Sequence, residues 1–313
     1  MNEQELFESF CDLLDGNRSA VGTEEGGCLK TSNWVGFMEQ HLRKGGASAI
    51  GVYPLVYDPI THEWLVKWGC IDWDEGQLES WHHALNTKKF LARFGVTGWI
   101  ERSRSKGYHL WVFAEDWTPA WIMRRGLLMA CKLVDAPTRE INPKSEGSDD
   151  PNFLSNYVRC PYPGALAGDF YGSAGRRVAL AADGHQLSLE DFVDLASASR
   201  GIGQLETLAR AWKPPAPVVH REVKEVSDEA VAEALLRCRG LTELFIQEGP
   251  RERGRSEWLF ITGCQLVKDG LHSYDEMVAL LTYADAMHGE KFTHRRDAEQ
   301  RYAEIIDKGL AEL

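Results

Sequence analysis

Lys67-Trp68-Gly69-Cys70-Ile71-Asp72-Trp73-Asp74-Glu75-Gly76 is the stretch on which the reading of this chain turns. As a strand, its period of two puts Asp72 and Asp74 on one face and sends Ile71 and Trp73 into a core on the other. Neighbouring carboxylates repel and are costly to desolvate alone, so the pair implies solvent, a cation, or both. By itself Asp-x-Asp does not separate a solvated turn from a metal site, so the flanking segments carry the decision.

Upstream, Ala49 to Tyr57 alternates like a strand, and Asp58-Pro59 turns it back into Trp64 to Trp68, which leads into the acidic stretch. Before it, Glu3 to Leu14 reads as an amphipathic helix with Leu6, Phe10 and Leu13 on one stripe, ending near Gly16. Asn17-Arg18 is expected in a turn, and Trp34 to Leu42 forms a second helix stopped by Gly45-Gly46.

Downstream, Ser80 to Phe94 has the length of a helix with Gly95 as its stop. His82 and His83 lie near its start, but adjacent helical positions diverge by about 100°, which makes them a poor chelating pair. Gly98 to Phe113 then reads as two apolar strands flanking a turn with Arg102, Arg104, Lys106, Ser103, Ser105 and Gly107, with His109 just beyond. Backbone N–H groups beside a glycine, together with cationic side chains, suit an oxyanion such as a triphosphate. A solvated basic hairpin tip with His109 satisfied in a core fits the same residues.

Thr118-Pro119 is expected to cap a helix whose stripe runs through Ile122, Met129 and Leu133 and ends before Asp135-Ala136-Pro137. Arg139 to Lys144 is a short strand terminated or placed at an edge by Pro143, bringing a third acid, Glu140, and another cation, Lys144. After a polar loop, Asn156 to Pro161 is a further short strand bearing Arg159.

The bulk properties bound these readings. At 313 residues and 43% hydrophobic content the chain is long enough for two ordinary globular cores. It has no apolar run of about 18 residues and no basic-then-apolar leader, so a soluble intracellular protein without a membrane partner is expected. Seven cysteines without a Cys-x-x-Cys pair argue against a disulfide framework and a zinc ribbon; reduced core thiols and no zinc are expected. The net charge of −12 is uneven: Trp81 to Leu180 carries about +5, while the segments before and after carry about −9 and −8. An acidic average thus leaves room for a basic groove.

In order, Asp72-x-Asp74, the Ser105-Lys106-Gly107-Tyr108-His109 hairpin, Glu140 to Lys144 and Asn156 to Pro161 resemble the successive motifs of the archaeo-eukaryotic primase superfamily. The likeness covers roughly residues 5 to 180, takes in Ile50 to Leu55, and points to the primase-polymerases of phages, plasmids and mobile elements. It implies an α+β fold with an RRM-like antiparallel or mixed sheet and flanking helices, acting as a DNA primase-polymerase in the cytoplasm of a bacterial or phage-infected cell. It further implies that Asp72, Asp74 and Glu140 hold two Mg²⁺ or Mn²⁺ ions. Arg104, Ser105, Lys106, His109, Lys144 and Arg159 would bind the nucleotide. Single-stranded DNA template, primer and NTP or dNTP are the implied partners.

Two departures accompany the resemblance. The hairpin carries Gly107 where family members often have two glycines, and the third acid, commonly Asp, is Glu140 here, with Asp135 as the other candidate. Glu140 is favoured, because it sits in a strand-like run followed by Lys144, whereas Asp135 precedes Ala-Pro as a loop residue does.

Beyond Gly164, Arg176 to Leu180 reads as a strand and Ser188 to Ala198 as a helix with acids in its first turn. Prolines at 214, 215 and 217 mark a linker, dividing a catalytic domain (1–212) and linker (213–226) from a small all-α bundle (227–313). Stripes are expected at Val231, Leu235 and Cys238, in a helix capped by Ser256 with Leu259 and Leu266, behind a Ser273–Glu276 capping box, and at Tyr302, Ile305 and Ile306. Arg18 and the trio Arg251, Arg253 and Arg255 are candidate template contacts; for the trio a solvated basic loop fits equally. No P-loop motif occurs, so any replicative helicase would be another chain or a missing C-terminal region. A metal-dependent nuclease or phosphoryl hydrolase, and a non-catalytic nucleic-acid-binding module, are the alternative functions. The basic hairpin speaks against the first and the intact acids against the second.

Overall fold

The computed structural model describes residues 1–104, 107–167, 177–214, 223–249, 254–289 and 291–311. They fall into two compact units, Met1–Lys213 and Pro214–Leu313. The first is an α+β domain with antiparallel sheets; the second is helical.

In the first unit, α1 (Glu3–Leu13) is opened by a reciprocal capping box between Asn2 and Glu5 and buries Leu6, Phe10, Cys11 and Leu13. There follow β1 (Asn17–Thr23), β2 (Cys28–Lys30), α2 (Trp34–Lys44), β3 (Ile50–Tyr53), β4 (Val56–Asp58), β5 (Glu63–Trp73), α3 (Gln77–Ala92), β6 (Gly98–Arg102) and β7 (Tyr108–Pro119). Then come α4 (Ala120–Leu133), β8 (Ile141–Asn142), β9 (Val158–Arg159), β10 (Val178–Leu180), α5 (Leu189–Ala198) and α6 (Leu205–Ala211).

One sheet has the order β2-β1-β3-β9; the other runs β10-β6-β7-β5-β4, with β8 also paired to β5 on the edge away from β7. Both sheets contribute to one continuous core, in which Trp68, Trp73 and Trp111 are fully buried. Three large aromatic side chains on neighbouring central strands remove much apolar surface from water and hold β5 and β7 in register. His41 of α2 ties the helix to the sheet: Ile50 N–H donates to its Nδ1 at 3.1 Å, and its Nε2 lies 2.8 Å from the Pro161 carbonyl.

The second unit comprises α7 (Asp228–Arg237), α8 (Leu241–Glu248), α9 (Arg255–Asp269), α10 (Tyr274–Ala284) and α11 (Ala298–Ala311). Its core is built on Trp258, Leu259, Leu266, Leu280, Leu281, Tyr302 and Ile306. The Ser273–Glu276 capping box forms as the sequence implies. None of the seven cysteines is in a disulfide, and five of them (Cys11, Cys70, Cys131, Cys160, Cys238) are buried. Among the described residues no helix is long and apolar enough to cross a membrane.

Several local expectations are corrected. Asn17 and Arg18 begin β1 instead of forming a turn, because β1 pairs with β3 from Asn17 opposite Tyr53 onward. The run Ala49 to Tyr57 is split by Pro54 into β3 and β4, which join different sheets. Thr118 does not cap α4: it remains in β7 with its hydroxyl donating to the Asp116 carbonyl. The buried stripe of α4 is Ile122, Met123, Gly126, Leu127, Ala130 and Cys131, while Leu133 is 51% exposed. Gly254, not Ser256, precedes the first turn of α9. The strand around Glu140 shrinks to Ile141–Asn142, and α6 had no expectation attached to it.

Candidate active site

Strand register builds the site. Antiparallel pairing sets Asp72 of β5 directly opposite His109 of β7, and His109 directly opposite Glu101 of β6. Residues aligned across adjacent strands share a face, so the three side chains form a row across the sheet. His109 Nδ1 lies 3.0 Å from Glu101 Oε2, and its Nε2 lies 3.5 Å from Asp72 Oδ2. Glu101 Oε2 also accepts from the Trp111 indole N–H at 2.5 Å. Burial works to drive the proton off His109, but Glu101 and then Asp72 outweigh it and raise the imidazole to about 10. The ring is therefore a fixed cation at neutral pH. Burial likewise works to raise the Asp72 carboxyl, but His109, Lys144 and Arg159 hold it below the ordinary carboxylate range.

Asp74 stands one residue beyond the end of β5 and is exposed. Gly107 explains its surroundings: a Cβ there would lie 2.3 Å from Asp74 Oδ1 and 2.1 Å from the Trp73 carbonyl oxygen. The hairpin passes so close to the acidic pair that only glycine fits. On the other edge of β5, Asp72 N–H donates to the Glu140 carbonyl at 2.9 Å, which fixes the Glu140 backbone beside Asp72. The Glu140 carboxylate is ion-paired with Lys144.

Asp72, Asp74, Arg104, His109, Glu140, Lys144 and Arg159 all line one cleft, together with Ser103, Asn142, Asn156, Tyr157, Val158 and Arg177. Asp72 lies in β5, Asp74 just past its end and Glu140 just before β8, while Arg104, Arg159 and Arg177 come from the β6–β7 hairpin, β9 and the position just before β10. Asp135 is exposed, has φ 54° and does not line the cleft. Ser105, Lys106, Arg251 and Arg253 lie outside the described residues. Arg18 forks onto Asp15 at 2.8 and 2.9 Å and covers the Trp34 ring, away from the cleft lining. Arg255 opens α9 in the second unit. His83 packs beside Trp73 and His82 is exposed.

Two buried oxygens in this cleft make no hydrogen bond: Asp72 Oδ1 and Asn142 Oδ1. Uncompensated buried oxygens, one of them charged, beside a second carboxylate suit a hard divalent cation of the Mg²⁺ or Mn²⁺ type. Among the described residues no three His, Cys, Asp or Glu side chains are grouped tightly enough to hold a metal ion by themselves. The oxygen donors lining the cleft include the Asp72, Asp74 and Glu140 carboxylates, the last ion-paired with Lys144, and the Asn142 amide oxygen.

Sequence reasoning missed Glu101, Tyr157, Arg177 and Asn142. Glu101 was within reach, since a hairpin closing at Arg102 and Tyr108 forces Glu101 opposite His109. Tyr157 is set by glycines: its ring lies where a Cβ on Gly22 or Gly51 would stand, 2.2 to 2.3 Å from the nearest ring atom. Arg177 carried no local signal, because its partners come from distant segments.

Residues 29–145 match the family model described as the archaeo-eukaryotic primase domain of the TOTE conflict system. Similar solved structures include the polymerase domain of Mycobacterium tuberculosis ligase D in complex with DNA, 12% identical, with 67% of this chain and 91% of that chain covered and a TM-score of 0.35. Another is primase RepB′, 14% identical, with 98% of this chain and 93% of that chain covered and a TM-score of 0.26. No curated protein matches the chain. The matched stretch, residues 29–145, contains Asp72, Asp74, His109 and Glu140 and is similar to an archaeo-eukaryotic primase domain.

Proposed function

We propose that this chain is a DNA primase-polymerase of the phage, plasmid or mobile-element type, which joins nucleotides on a single-stranded DNA template by making primers, extending them, or both. The observation that carries the reading is a single cleft lined both by carboxylates, Asp72, Asp74 and Glu140, and by cationic side chains, Arg104, His109, Lys144, Arg159 and Arg177. Nucleotidyl transfer needs both halves, whereas phosphodiester hydrolysis needs the acids alone.

Asp72, Asp74 and the Asn142 oxygen would hold Mg²⁺ or Mn²⁺, with Glu140 as a further ligand once it leaves Lys144. Bound divalent ions lower the pKa of a primer 3′-hydroxyl and neutralise charge building on the departing pyrophosphate. His109, held cationic by Glu101, stabilises negative charge beside Asp72. Lys144 and the arginines grip the phosphate oxygens of an NTP or dNTP and keep its α-phosphorus in place for attack. The second unit contributes to template binding and initiation, and a replicative helicase on another polypeptide is the fitting partner.

Primer extension with labelled nucleotides and Mg²⁺ or Mn²⁺ tests the reading. Asp72→Ala/Asp74→Ala is expected to lose extension by about 10³-fold or more. Equal extension by the double variant, or degradation of the strand in place of extension, overturns it. Removal of residues beyond about Lys213 is expected to abolish unprimed synthesis while sparing extension.

A further inference from the structure

One carboxylate sits where three arginines from separate segments converge. Glu24, in the turn between β1 and β2, lies 3.1 Å from Arg104 Nη1 and 3.2 Å from Arg177 Nη2. It lies 3.9 Å from Arg159 Nε, while Arg159 Nη2 donates to the Glu24 carbonyl at 3.0 Å. All three arginines line the acid-bearing cleft.

The fit is incomplete. Glu24 Oε2, Arg159 Nε and Arg177 Nη1 are buried and make no hydrogen bond. Arg177 is 3% exposed, so its unmatched nitrogen cannot be satisfied by bulk water. Two carboxylate oxygens do not saturate three guanidinium forks, and Glu24 sets a single negative charge against three positive ones. A phosphate offers more oxygens and more charge in a similar volume, and arginine forks match it in pairs. Glu24 sits in a hairpin turn that contains Gly26 at φ 104° and Gly27, and β2 beyond it is exposed throughout, so no packed core holds the turn from that side.

We propose that Glu24 is a resident counter-ion in a phosphate subsite formed by Arg104, Arg159 and Arg177, and that the polyphosphate of an incoming nucleotide displaces it. The inference rests on the nucleotide-binding reading of the cleft. Glu24 keeps three like charges together in the empty protein, and by competing with the ligand it sets the affinity for polyphosphate.

Inorganic tripolyphosphate is the probe, titrated calorimetrically into the full chain in low-salt, metal-free buffer. Glu24→Gln is expected to bind it about tenfold more tightly than wild type, and Arg104→Gln, a surface change, about tenfold more weakly. Glu25→Gln removes the same charge from the same turn at an exposed position and is expected to stay within about twofold of wild type. Unchanged or weaker binding by Glu24→Gln overturns the proposal and makes Glu24 a clamp that positions the arginines. An equal gain in Glu25→Gln also overturns it, because the effect is then long-range charge. Primer extension run on the same proteins separates the two readings. Tight binding by Glu24→Gln without extension keeps the counter-ion and removes the polymerase, whereas extension without a Glu24 effect does the reverse.

Discussion

Glu101 Oε2 lies 3.0 Å from His109 Nδ1, on the adjacent strand and directly opposite it, with both side chains buried. Removing one partner of such a pair leaves the other charge poorly solvated, so Glu101 governs the protonation and orientation of a ring it does not share the cleft with. Glu101→Gln keeps the shape and an acceptor for Trp111 but withdraws the negative charge. Steady-state extension kinetics are expected to show a nucleotide KM raised about tenfold with a smaller change in kcat. An unchanged KM takes the His109 charge out of nucleotide binding.

Gly107→Ala tests the approach of the hairpin to the acidic pair. A methyl group there collides with the Trp73 carbonyl and with Asp74 Oδ1, so the hairpin or Asp74 has to shift. The expected result is a fall in kcat of about 10²-fold, with stability lowered by about 1–3 kcal/mol in urea titrations. Wild-type kcat in a folded Gly107→Ala protein shows that the position of Asp74 is not critical.

Glu140 and Asp135 are separated by a charge-matched pair. Glu140→Gln changes a group on the cleft wall whose backbone is bonded to Asp72, whereas Asp135→Asn changes an exposed loop residue in a left-handed conformation that Asn also accepts. Extension is expected to drop about 10²-fold in the first and stay within about twofold in the second. The opposite ranking identifies Asp135 as the third acid.

His41 gives the first unit a pH-dependent element. Burial is the main cause that lowers its imidazole from 6.5 to about 3, and it outweighs the hydrogen bond to Pro161. With Ile50 N–H donating to Nδ1, the neutral ring with hydrogen on Nε2 satisfies both neighbours, and a second proton has no acceptor. The unfolded chain takes up the proton first, so this contribution is intact above about pH 6.5 and is lost progressively as pH falls toward about 3. Between pH 7 and pH 5 the loss is about 2 kcal/mol. Urea titrations of His41→Gln are expected to start lower at pH 7 and fall by about that much less on acidification; parallel curves contradict the assignment.

Asp285 anchors the helical unit. It is fully buried and accepts from the Lys291 and Phe292 backbone N–H groups and the Tyr302 hydroxyl, each at 2.8 Å. Asp285→Ala leaves those donors unpaired and is expected to cost about 3–5 kcal/mol, while Tyr302→Phe is expected to cost about 1 kcal/mol. Thermal unfolding followed by circular dichroism ranks the two.

The legible parts of this protein were those governed by neighbours in sequence. Period-two alternation placed Ile71 and Trp73 in the core and Asp72 on the cleft face, and the Gly107 turn announced the hairpin that faces it. Caps at Ser188 and Ser273 likewise declared their helices. Local signals failed where tertiary pairing competes with them: Thr118 has the chemistry of a cap, but β7 keeps it because β5 supplies a partner strand as far as Pro119. Asn17 and Arg18 look like turn residues, yet pairing with β3 draws them into a strand.

The sequence by itself determined which chemistry was available: paired acids, a basic hairpin, a third acid and later cations, in the order of one superfamily. Only the tertiary structure decided that Glu101 charges His109, that Glu140 and not Asp135 reaches the cleft, and that Glu24 meets Arg104, Arg159 and Arg177. The reason is physical: the strength of a charge–charge contact depends on distance and burial, and those are set by sheet register between segments up to about 150 residues apart, which no local pattern encodes.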